Sequence, residues 1–251
     1  MRTISLLILT LSLLLKFEVI HIYFIDNYLS RYILGFSIGF FVFCFLKPHA
    51  DIFFNNKKKL NSDFVKKIAP ELQGKNIDFF SADMIFKPNI VVLKKKRYSI
   101  FIDNKIIDNL SEAELRFFIF HEYSHIKDND LLKIQLSTLI AFTVTPLFIF
   151  IVTSIIELPS EFLKIIPYMI IVIVLYLGGI ILNFKYKRNR ELKSDTYASN
   201  YVKKEDIINS FQKFINLNIF EKKKRSLLSS HPSLNERLKN LNISLKKERG
   251  I

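Results

Sequence analysis

One cysteine, Cys44, and no tryptophan occur among the 251 residues of this chain. A lone cysteine cannot form an intrachain disulfide, and it also excludes a zinc site built from cysteine thiolates. We expect Cys44 to be a small apolar residue in a membrane span. Histidine is scarce as well, with five residues in the chain. Two histidines at the spacing of metal ligands would therefore rarely arise by accident.

Acidic residues are too few to balance the basic ones: 23 Asp and Glu stand against 37 Lys and Arg, which leaves a net charge of +14. At the same time, 50% of the residues are hydrophobic. This combination indicates a membrane protein with a basic face. We expect the basic runs to be solvated surface beside anionic lipid headgroups. Nucleic acid is not an expected partner, because the sequence shows no helix-turn-helix pattern and no basic stripe interleaved with aromatic residues.

Long apolar runs predict about four transmembrane helices. They lie at residues 4–25, 28–46, 134–156 and 165–184. No small-residue cleavage site follows the first run, so we expect an uncleaved span and not a signal peptide. Lys and Arg crowd the stretches after the second and fourth spans. By the positive-inside rule, both termini and the polar regions are then cytoplasmic, and in a bacterium the membrane would be the cell inner membrane.

The stretch around which the chain is organised reads H-E-x-x-H from His121 to His125. On a helix, residues four apart share a face, so both imidazoles can reach one metal ion. Glu122 lies on the flank of that face, where its carboxylate can take a proton from metal-bound water. The helix is predicted to begin at a capping box formed by Ser111 and Glu114. Its next residues are apolar nearly all round, which predicts a buried helix whose polar groups need partners such as a metal ion.

The region before this helix has strand character in three segments, at residues 77–86, 89–93 and 98–103. The predicted fold class is α-dominant α+β, with a zincin-like metalloprotease domain, a small antiparallel sheet and about four transmembrane helices. The predicted parts are an N-terminal membrane hairpin (1–46), a first part of the zincin domain with the H-E-x-x-H helix (47–130), a second membrane hairpin (131–184) and a second part of the zincin domain with the third ligand and the C-terminal helices (185–251).

A third ligand is expected, because catalytic zinc takes three protein ligands and keeps one position for water. The candidates follow the fourth span, where Glu191 and Asp195 lie four residues apart and so share a helix face. One carboxylate could bind the metal while the other accepts the N–H of a ligating histidine. A solvated, charged helix start explains the same spacing equally well.

Three ordered motifs extend this pattern from residue 61 to residue 241. They are H-E-x-x-H-x(4)-D ending at Asp130, R-x-R-E-x-x-x-D formed by Arg188, Arg190, Glu191 and Asp195, and H-P-x-x-x-x-R formed by His231, Pro232 and Arg237. Together they resemble the motifs of the HtpX-type and CAAX-prenyl-protease family of integral-membrane zinc metalloproteases, which are gluzincins. Ser194 departs from the family pattern, since alanine is usual at that position.

The resemblance implies one zinc ion per chain, held by His121, His125 and Glu191. It also implies that Asp195 and Asp130 act behind these ligands, as partners that orient them. The implied activity is that of a zinc metalloendopeptidase, a membrane-bound hydrolase that cleaves the peptide bonds of membrane or misfolded proteins at the cytoplasmic face. The expected partners are a protein or peptide substrate and a bilayer with anionic headgroups, and an oligomer is compatible with the sequence.

Catalysis at such a centre needs a base and a donor for the developing oxyanion. Glu122 is the base. The candidate donors are His231, Arg237, Tyr197 and Tyr201, and for the two tyrosines packing is the simpler explanation. His231 lies at a turn before a helix, where it either fixes the turn or donates a hydrogen bond to the oxyanion.

Two other functions fit parts of the sequence. A signalling protease of the sensor-transducer type would share the motifs, but no extracellular sensor domain is visible. A non-catalytic membrane scaffold could keep a structural zinc ion, although such a site would not need Glu122.

Overall fold

The computed structural model describes residues 57–84, 88–94, 96–141, 162–219, 229 and 231–243. The chain divides into two compact units. The first unit comprises residues 1–50 and 132–186, and the second comprises residues 51–131 and 187–251. All the predicted site residues belong to the second unit.

The second unit contains a four-stranded sheet. Its strands are β1 (Lys57–Lys59), β2 (Ile77–Ala82), β3 (Ile90–Lys94) and β4 (Tyr98–Asp103). They lie in the order β1-β2-β4-β3, so β4 is an interior strand and β3 is at an edge. The central position of β4 agrees with its composition, since Ile100, Phe101 and Ile102 are all buried and apolar residues on both faces are typical of an interior strand.

The sheet is mixed, and the prediction of an antiparallel sheet is wrong in this respect. β1 pairs with β2 and β3 pairs with β4 in antiparallel fashion, but β2 and β4 run parallel, with Ile77 opposite Tyr98. The reason is that β3 folds back along the outer side of β4 and does not lie between β2 and β4. The strand on the inner side of β4 therefore runs in the same direction as β4.

Helices make up most of the described chain. They are α1 (Ser62–Ile68), a 3-10 turn (Pro70–Leu72), α2 (Asn104–Asn109), α3 (Glu112–Lys127), α4 (Asp130–Leu139), α5 (Phe162–Ser199), α6 (Lys204–Asn216) and α7 (Leu234–Asn240). With the small sheet, they confirm the predicted helix-dominant α+β class.

Helix α3 carries the H-E-x-x-H motif and is buried as predicted. Its capping box is present: the Ser111 amide donates to Glu114 Oε2 at 2.6 Å, and the Glu114 amide donates to Ser111 Oγ. The helix packs against β3 and β4 on one side and against α6 on another. Phe118 stacks on Phe214 of α6 with a ring-centroid distance of 3.7 Å. These aromatic contacts fix α3 in the core, so the polar residues of its next turn have a rigid support.

The described part of the first unit includes most of α4 and the N-terminal part of α5. Ser137 of α4 donates a hydrogen bond to Oδ1 of Asn183 of α5 at 2.9 Å. Leu132 and Leu136 of α4 and Val174 and Leu182 of α5 are exposed.

Of the four predicted spans, the two at residues 4–25 and 28–46 lie outside the described residues, and the third is described only as far as residue 141. The fourth, 165–184, is helical as part of α5. Among the residues that the structure describes fully, no helix combines the length and the apolar character that crossing a membrane requires.

Candidate metal centre

His121 and His125 lie together on one face of α3, as the i, i+4 spacing predicts. Both side chains are buried. Their Nε2 atoms are 3.2 Å apart, and the ring planes are nearly perpendicular. The two imidazoles therefore aim the same nitrogen at one point.

Glu191 of α5 completes this group from a part of the chain 66 residues further on. Its Oε1 is 3.6 Å from His125 Nε2, and its Oε2 is 3.7 Å from His121 Nε2. The three residues offer ligand atoms that all lie within 4.8 Å of one another, so together they could hold a metal ion. Tetrahedral zinc with bonds of about 2.0–2.1 Å has ligand atoms about 3.4 Å apart. The observed separations of 3.2, 3.6 and 3.7 Å are close to that geometry.

A carboxylate behind each histidine fixes the direction of its ring. His121 Nδ1 lies 2.9 Å from Oδ1 of Asp195, and His125 Nδ1 lies 2.9 Å from Oδ2 of Asp130. When Nδ1 carries the donated proton, Nε2 of a neutral imidazole has only its lone pair. The Nε2 lone pairs of both histidines and the Glu191 carboxylate then face one another in a buried space. A cation at this point would stabilise the arrangement. The donor set, two imidazoles and one carboxylate, suits zinc.

Each of these supporting carboxylates is held in turn by an arginine. Arg237 of α7 is buried, its Nε donates to Oδ2 of Asp195 at 2.7 Å, and its Nη2 contacts Oδ1. Arg190 of α5 contacts Oδ1 of Asp130 and donates to Oδ2 of Asp128 at 2.6 Å. Each histidine thus contacts an aspartate, and each of these aspartates contacts an arginine.

The sequence did not reveal these arginine contacts. Arg237 is a candidate oxyanion donor on sequence grounds, whereas in the structure its guanidinium is engaged with Asp195. Arg190 is part of the R-x-R-E motif, and this spacing is the one signal that could have pointed to it. Ser194, the departure from the family pattern, is buried with its Oγ 3.3 Å from His125 Nδ1.

The electrostatics of the metal-free centre favour a bound cation. Burial disfavours a charge on His121, but hydrogen bonds to Asp195 and Glu191 outweigh it and raise the pKa of His121 to about 10. Burial likewise works against ionisation of Glu191, yet His121 and His231 hold its pKa well below its usual range. The proton on His121 offsets part of the negative charge of the Asp195 and Glu191 carboxylates, and a bound metal ion would do the same.

Glu122 is next to the two histidines and half-buried. Burial raises the pKa of its carboxyl, against the opposing effect of His121 and His125. A carboxylate with a raised pKa is a better proton acceptor near neutral pH, which is the property of a general base. The role of Glu122 as the base stays a prediction.

His231 lies near Glu191. Its Nδ1 is 3.4 Å from Oε2 of Glu191, and its side chain is 76% exposed. The turn before it is held by other groups: Ser229 Oγ donates to the carbonyl of His231 at 2.8 Å, and Arg188 Nη1 donates to the carbonyl of Ser229 at 2.8 Å. These two hydrogen bonds involve no atom of the imidazole, whose Nδ1 faces Glu191. Both predicted roles of His231, in the turn and as an oxyanion donor, stay predictions.

The two tyrosines considered as donors have packing roles. Their hydroxyl groups are 3.0 Å apart, and the ring of Tyr201 stacks on Phe120 at 3.8 Å. Lys127 Nζ lies 4.7 Å from the centre of the Tyr197 ring. These contacts support the packing explanation for Tyr197 and Tyr201.

Residues 64–244, which include every residue of this centre, match the family model of peptidase family M48. The chain belongs to peptidase family M48. This membership confirms the family that the three motifs indicated, and it makes the chain a member of a family of peptidases. The metal ligands that the M48 motifs imply are the three residues that converge in the structure.

A solved structure shares the fold of this M48 chain. The crystal structure of S. mikatae Ste24p is similar to it with a TM-score of 0.56 and 19% sequence identity. The similarity covers 93% of this chain and 61% of the Ste24p chain, so this chain spans less than two thirds of the length of Ste24p. No curated protein sequence matches this chain.

Proposed function

We propose that this M48 peptidase is a membrane-bound, zinc-dependent endopeptidase that hydrolyses membrane or misfolded proteins at the cytoplasmic face. The observation that supports this most directly is the convergence of His121, His125 and Glu191, within 4.8 Å, beside the carboxylate of Glu122. Two imidazoles and a carboxylate with a neighbouring base are what metal-assisted hydrolysis of a peptide bond requires.

In this proposal, His121 and His125 bind one zinc ion through Nε2, and Glu191 binds it through its carboxylate. Asp195 and Asp130 accept the Nδ1 protons of the two histidines and so keep each Nε2 lone pair directed at the metal. Zinc, when bound, polarises the scissile carbonyl and acidifies the attacking water.

Two side chains assist the reaction, one as the base and one as a hydrogen-bond donor. The Glu122 carboxylate takes a proton from the attacking water and delivers it to the nitrogen of the leaving amine. His231, exposed beside Glu191, donates a hydrogen bond to the oxygen that becomes negative in the transition state. The exposure of His231 supports this role, since the group must meet a substrate that comes from solvent.

The edge strand β3 is the proposed binding site for the substrate. It packs against α3, which carries Glu122, and its outer edge is not paired with another described strand. A peptide can add to such an edge through main-chain hydrogen bonds. Recognition of this kind depends on the extended backbone and not on a chain terminus, as endopeptidase activity requires.

The membrane location rests on the sequence and on exposed apolar residues. The four apolar runs and the Lys and Arg asymmetry favour the four-part organisation of membrane hairpins and zincin segments given above. In the first unit, Leu132, Leu136, Val174 and Leu182 are exposed, and contact with lipid would remove these side chains from water.

The decisive experiment compares the purified full-length chain with its Glu122→Gln variant in detergent, with casein and a membrane protein as substrates. The wild type should contain about one zinc ion per chain and cleave. Glu122→Gln should retain the zinc but lose cleavage, because the change deletes the base and keeps the ligands. Glu112→Gln is the matched control: Glu112 lies at the start of the same helix and pairs with Lys67, so this variant should cleave normally.

The outcomes separate the proposal from its alternatives. Cleavage by Glu122→Gln at the wild-type rate would remove Glu122 from the mechanism. A zinc-loaded wild type that cleaves neither substrate would favour the non-catalytic scaffold. Full zinc retention by Glu191→Ala would exclude Glu191 as the third ligand.

A further inference from the structure

The hydroxyl of Ser194 brings a polar group to the metal centre at a position where the family pattern has alanine. The side chain of Ser194 is 1% exposed, and its Oγ lies 3.3 Å from His125 Nδ1. A buried hydroxyl lowers stability unless it has a hydrogen-bond partner. The contact with His125 supplies such a partner, and an alanine in this place could not form it.

Other hydroxyl groups of α5 form hydrogen bonds within their own helix. Thr196 Oγ1 donates to the carbonyl of Leu192 at 3.0 Å, and Ser199 Oγ donates to the carbonyl of Thr196 at 2.8 Å. A serine or threonine inside a helix commonly bonds in this way to the preceding turn. Within the part of the chain that the structure describes, Ser194 Oγ instead contacts His125 of α3. The direction of this hydroxyl is therefore set by the histidine and not by its own helix.

The position of Ser194 on α5 explains why it reaches His125. It follows Arg190 by four residues, so the two side chains share a face of the helix. Arg190 contacts Asp130, and Oδ2 of Asp130 lies 2.9 Å from His125 Nδ1. This face of α5 therefore meets His125 in two ways, directly through Ser194 and indirectly through the arginine.

Two oxygen atoms face the Nδ1 atom of His125. A neutral imidazole that binds metal through Nε2 carries its proton on Nδ1. That N–H can be shared between Asp130 Oδ2 at 2.9 Å and Ser194 Oγ at 3.3 Å. The usual N–H···O distance is about 2.9–3.0 Å, so the carboxylate is the main acceptor and the hydroxyl is the weaker one. Because one acceptor belongs to α4 and the other to α5, together they restrict rotation of the ring more than either would alone.

The second group beside Nδ1 of His121 is of a different kind. His121 Nδ1 lies 2.9 Å from Asp195 Oδ1 and 3.5 Å from Nη2 of Arg237. A guanidinium has donors only, so Arg237 cannot accept the N–H of His121. The hydroxyl of Ser194 can accept a hydrogen bond, and it therefore gives His125 a form of support that Arg237 does not give His121.

We propose that Ser194 is a positioning residue of the zinc site, which shares the Nδ1 proton of His125 with Asp130 and so directs Nε2 at the metal ion. This inference rests on the proposed zinc-dependent function. It implies that the chain binds zinc more tightly with serine at position 194 than with alanine. One hydrogen bond of ordinary net strength corresponds to a factor of roughly 2–13 in affinity. The long distance from Oγ to Nδ1 favours the lower part of that range, about 2–5-fold.

The first test measures zinc affinity of the purified full-length chain in detergent, by competition with a chromogenic chelator. Ser194→Ala should bind zinc about 2–5-fold more weakly than the wild type, and Ser194→Thr, which keeps the hydroxyl, should restore the affinity. Ser210→Ala is the matched control, because Ser210 of α6 is also fully buried and donates to the carbonyl of Ile207 at 2.8 Å. It should leave zinc affinity unchanged. If the added methyl group prevents Ser194→Thr from folding, the comparison of the two alanine variants decides alone.

The second test reads the geometry of the ligands without any cleavage assay. Cobalt(II) takes the place of zinc, and its visible absorption bands depend on the arrangement of the ligands around it. The bands of Ser194→Ala should shift relative to the wild type, and those of Ser210→Ala should not. A purely structural serine would lower the melting temperature of the metal-free protein but change neither the affinity nor the bands. Unchanged zinc affinity or unchanged cobalt bands in Ser194→Ala, or an equal loss of affinity in Ser210→Ala, would overturn the proposal.

Failure of this inference is distinguishable from failure of the proposed function. A wild type that binds no zinc would refute both. A wild type that binds zinc and cleaves its substrate, together with a Ser194→Ala variant of equal zinc affinity, would refute only the role of Ser194.

Discussion

Replacement of Arg237 by methionine should lower both the stability of the fold and its affinity for zinc. Arg237 and Asp195 form a buried pair, with Nε donating to Oδ2 at 2.7 Å. Asp195 in turn holds His121 Nδ1 at 2.9 Å. Arg237→Met keeps most of the side-chain volume but leaves the Asp195 carboxylate buried without its main partner.

The magnitude follows from the burial of the pair. Removal of one partner of a buried ion pair costs about 3–5 kcal/mol, which corresponds to a fall in the melting temperature of roughly 6–20 °C for a chain of this size. Zinc affinity should fall by about 10–100-fold, the usual effect of losing a group that supports a ligating histidine. The loss is smaller than that for a ligand, because Nε2 of His121 can still reach the metal.

The assay measures the two quantities separately on one preparation. The melting temperature of the metal-free protein reports stability, and competition with a zinc chelator reports affinity. Arg237→Met with Asp195→Asn should recover much of the melting temperature, since the unpaired charge is gone. It should not recover the zinc affinity, because a neutral amide accepts the His121 N–H more weakly than a carboxylate does.

Arg116→Met is the matched control. Arg116 also donates to groups within the second unit, namely the carbonyls of Ile68 at 2.8 Å and Tyr201 at 3.0 Å. Its loss should lower the melting temperature but leave zinc affinity unchanged. If Arg237→Met binds zinc as tightly as the wild type, the contacts from Arg237 through Asp195 to His121 do not orient the ligand, and the reasoning is refuted.

Three further predictions concern the same unit. The pKa of His121 in the metal-free protein is raised to about 10, so zinc binding near pH 7 should release at least one proton, and zinc affinity should rise as the pH increases. Calorimetry in buffers of different ionisation enthalpy measures the number of protons released. Binding heats that do not depend on the buffer would contradict this prediction. His231→Ala should keep its zinc and its melting temperature but lose about 100–1,000-fold in turnover, whereas a normal rate per zinc-loaded molecule would show that His231 is not a donor. Burial works to raise the pKa of Glu114, but hydrogen bonds from Lys213 and Ser111 outweigh it and lower that pKa. The ionised carboxylate therefore stabilises the fold above about pH 4.5, and this contribution is lost as the pH falls from there through the lowered pKa. Glu114→Gln should show a smaller drop in melting temperature than the wild type between about pH 5.5 and about pH 2.5, and equal drops would contradict the assignment.

The features that local sequence determines were predictable. The capping box of Ser111 and Glu114 depends on residues three apart, and it is present as predicted. The strand at residues 98–103 was predicted with the bounds that the structure shows, because a β-branched and aromatic run ends there at Asp103, which caps the next helix.

The direction of pairing in the sheet was not predictable in the same way. Whether β3 lies between β2 and β4 or outside β4 depends on which strands share their apolar faces with α3, and this is a property of the tertiary packing. The alternation of apolar and polar residues and the positions of turn residues do not show which strands lie side by side.

The candidate site, like the sheet and the helix caps, has a part that the sequence predicts and a part that it does not. The i, i+4 spacings place His121 with His125 and Glu191 with Asp195, and the three predicted ligands lie together in the structure. Their roles as zinc ligands stay a prediction. The contact of Arg190 with Asp130 joins residues 60 positions apart, and no periodicity links such positions, so a motif can mark Arg190 without showing its partner.

The position of Glu191 has a consequence for the order of events during synthesis. The ribosome makes His121 and His125 before residues 131–184, and it makes Glu191 only after them. If the three residues are the ligands, a nascent chain has an incomplete centre until the whole intervening apolar segment has been translated. His231 and Arg237 follow about 40 residues later still. On these assignments the segment that carries His121 and His125 cannot form the centre by itself, and the centre is complete only after the chain beyond residue 184 has been made.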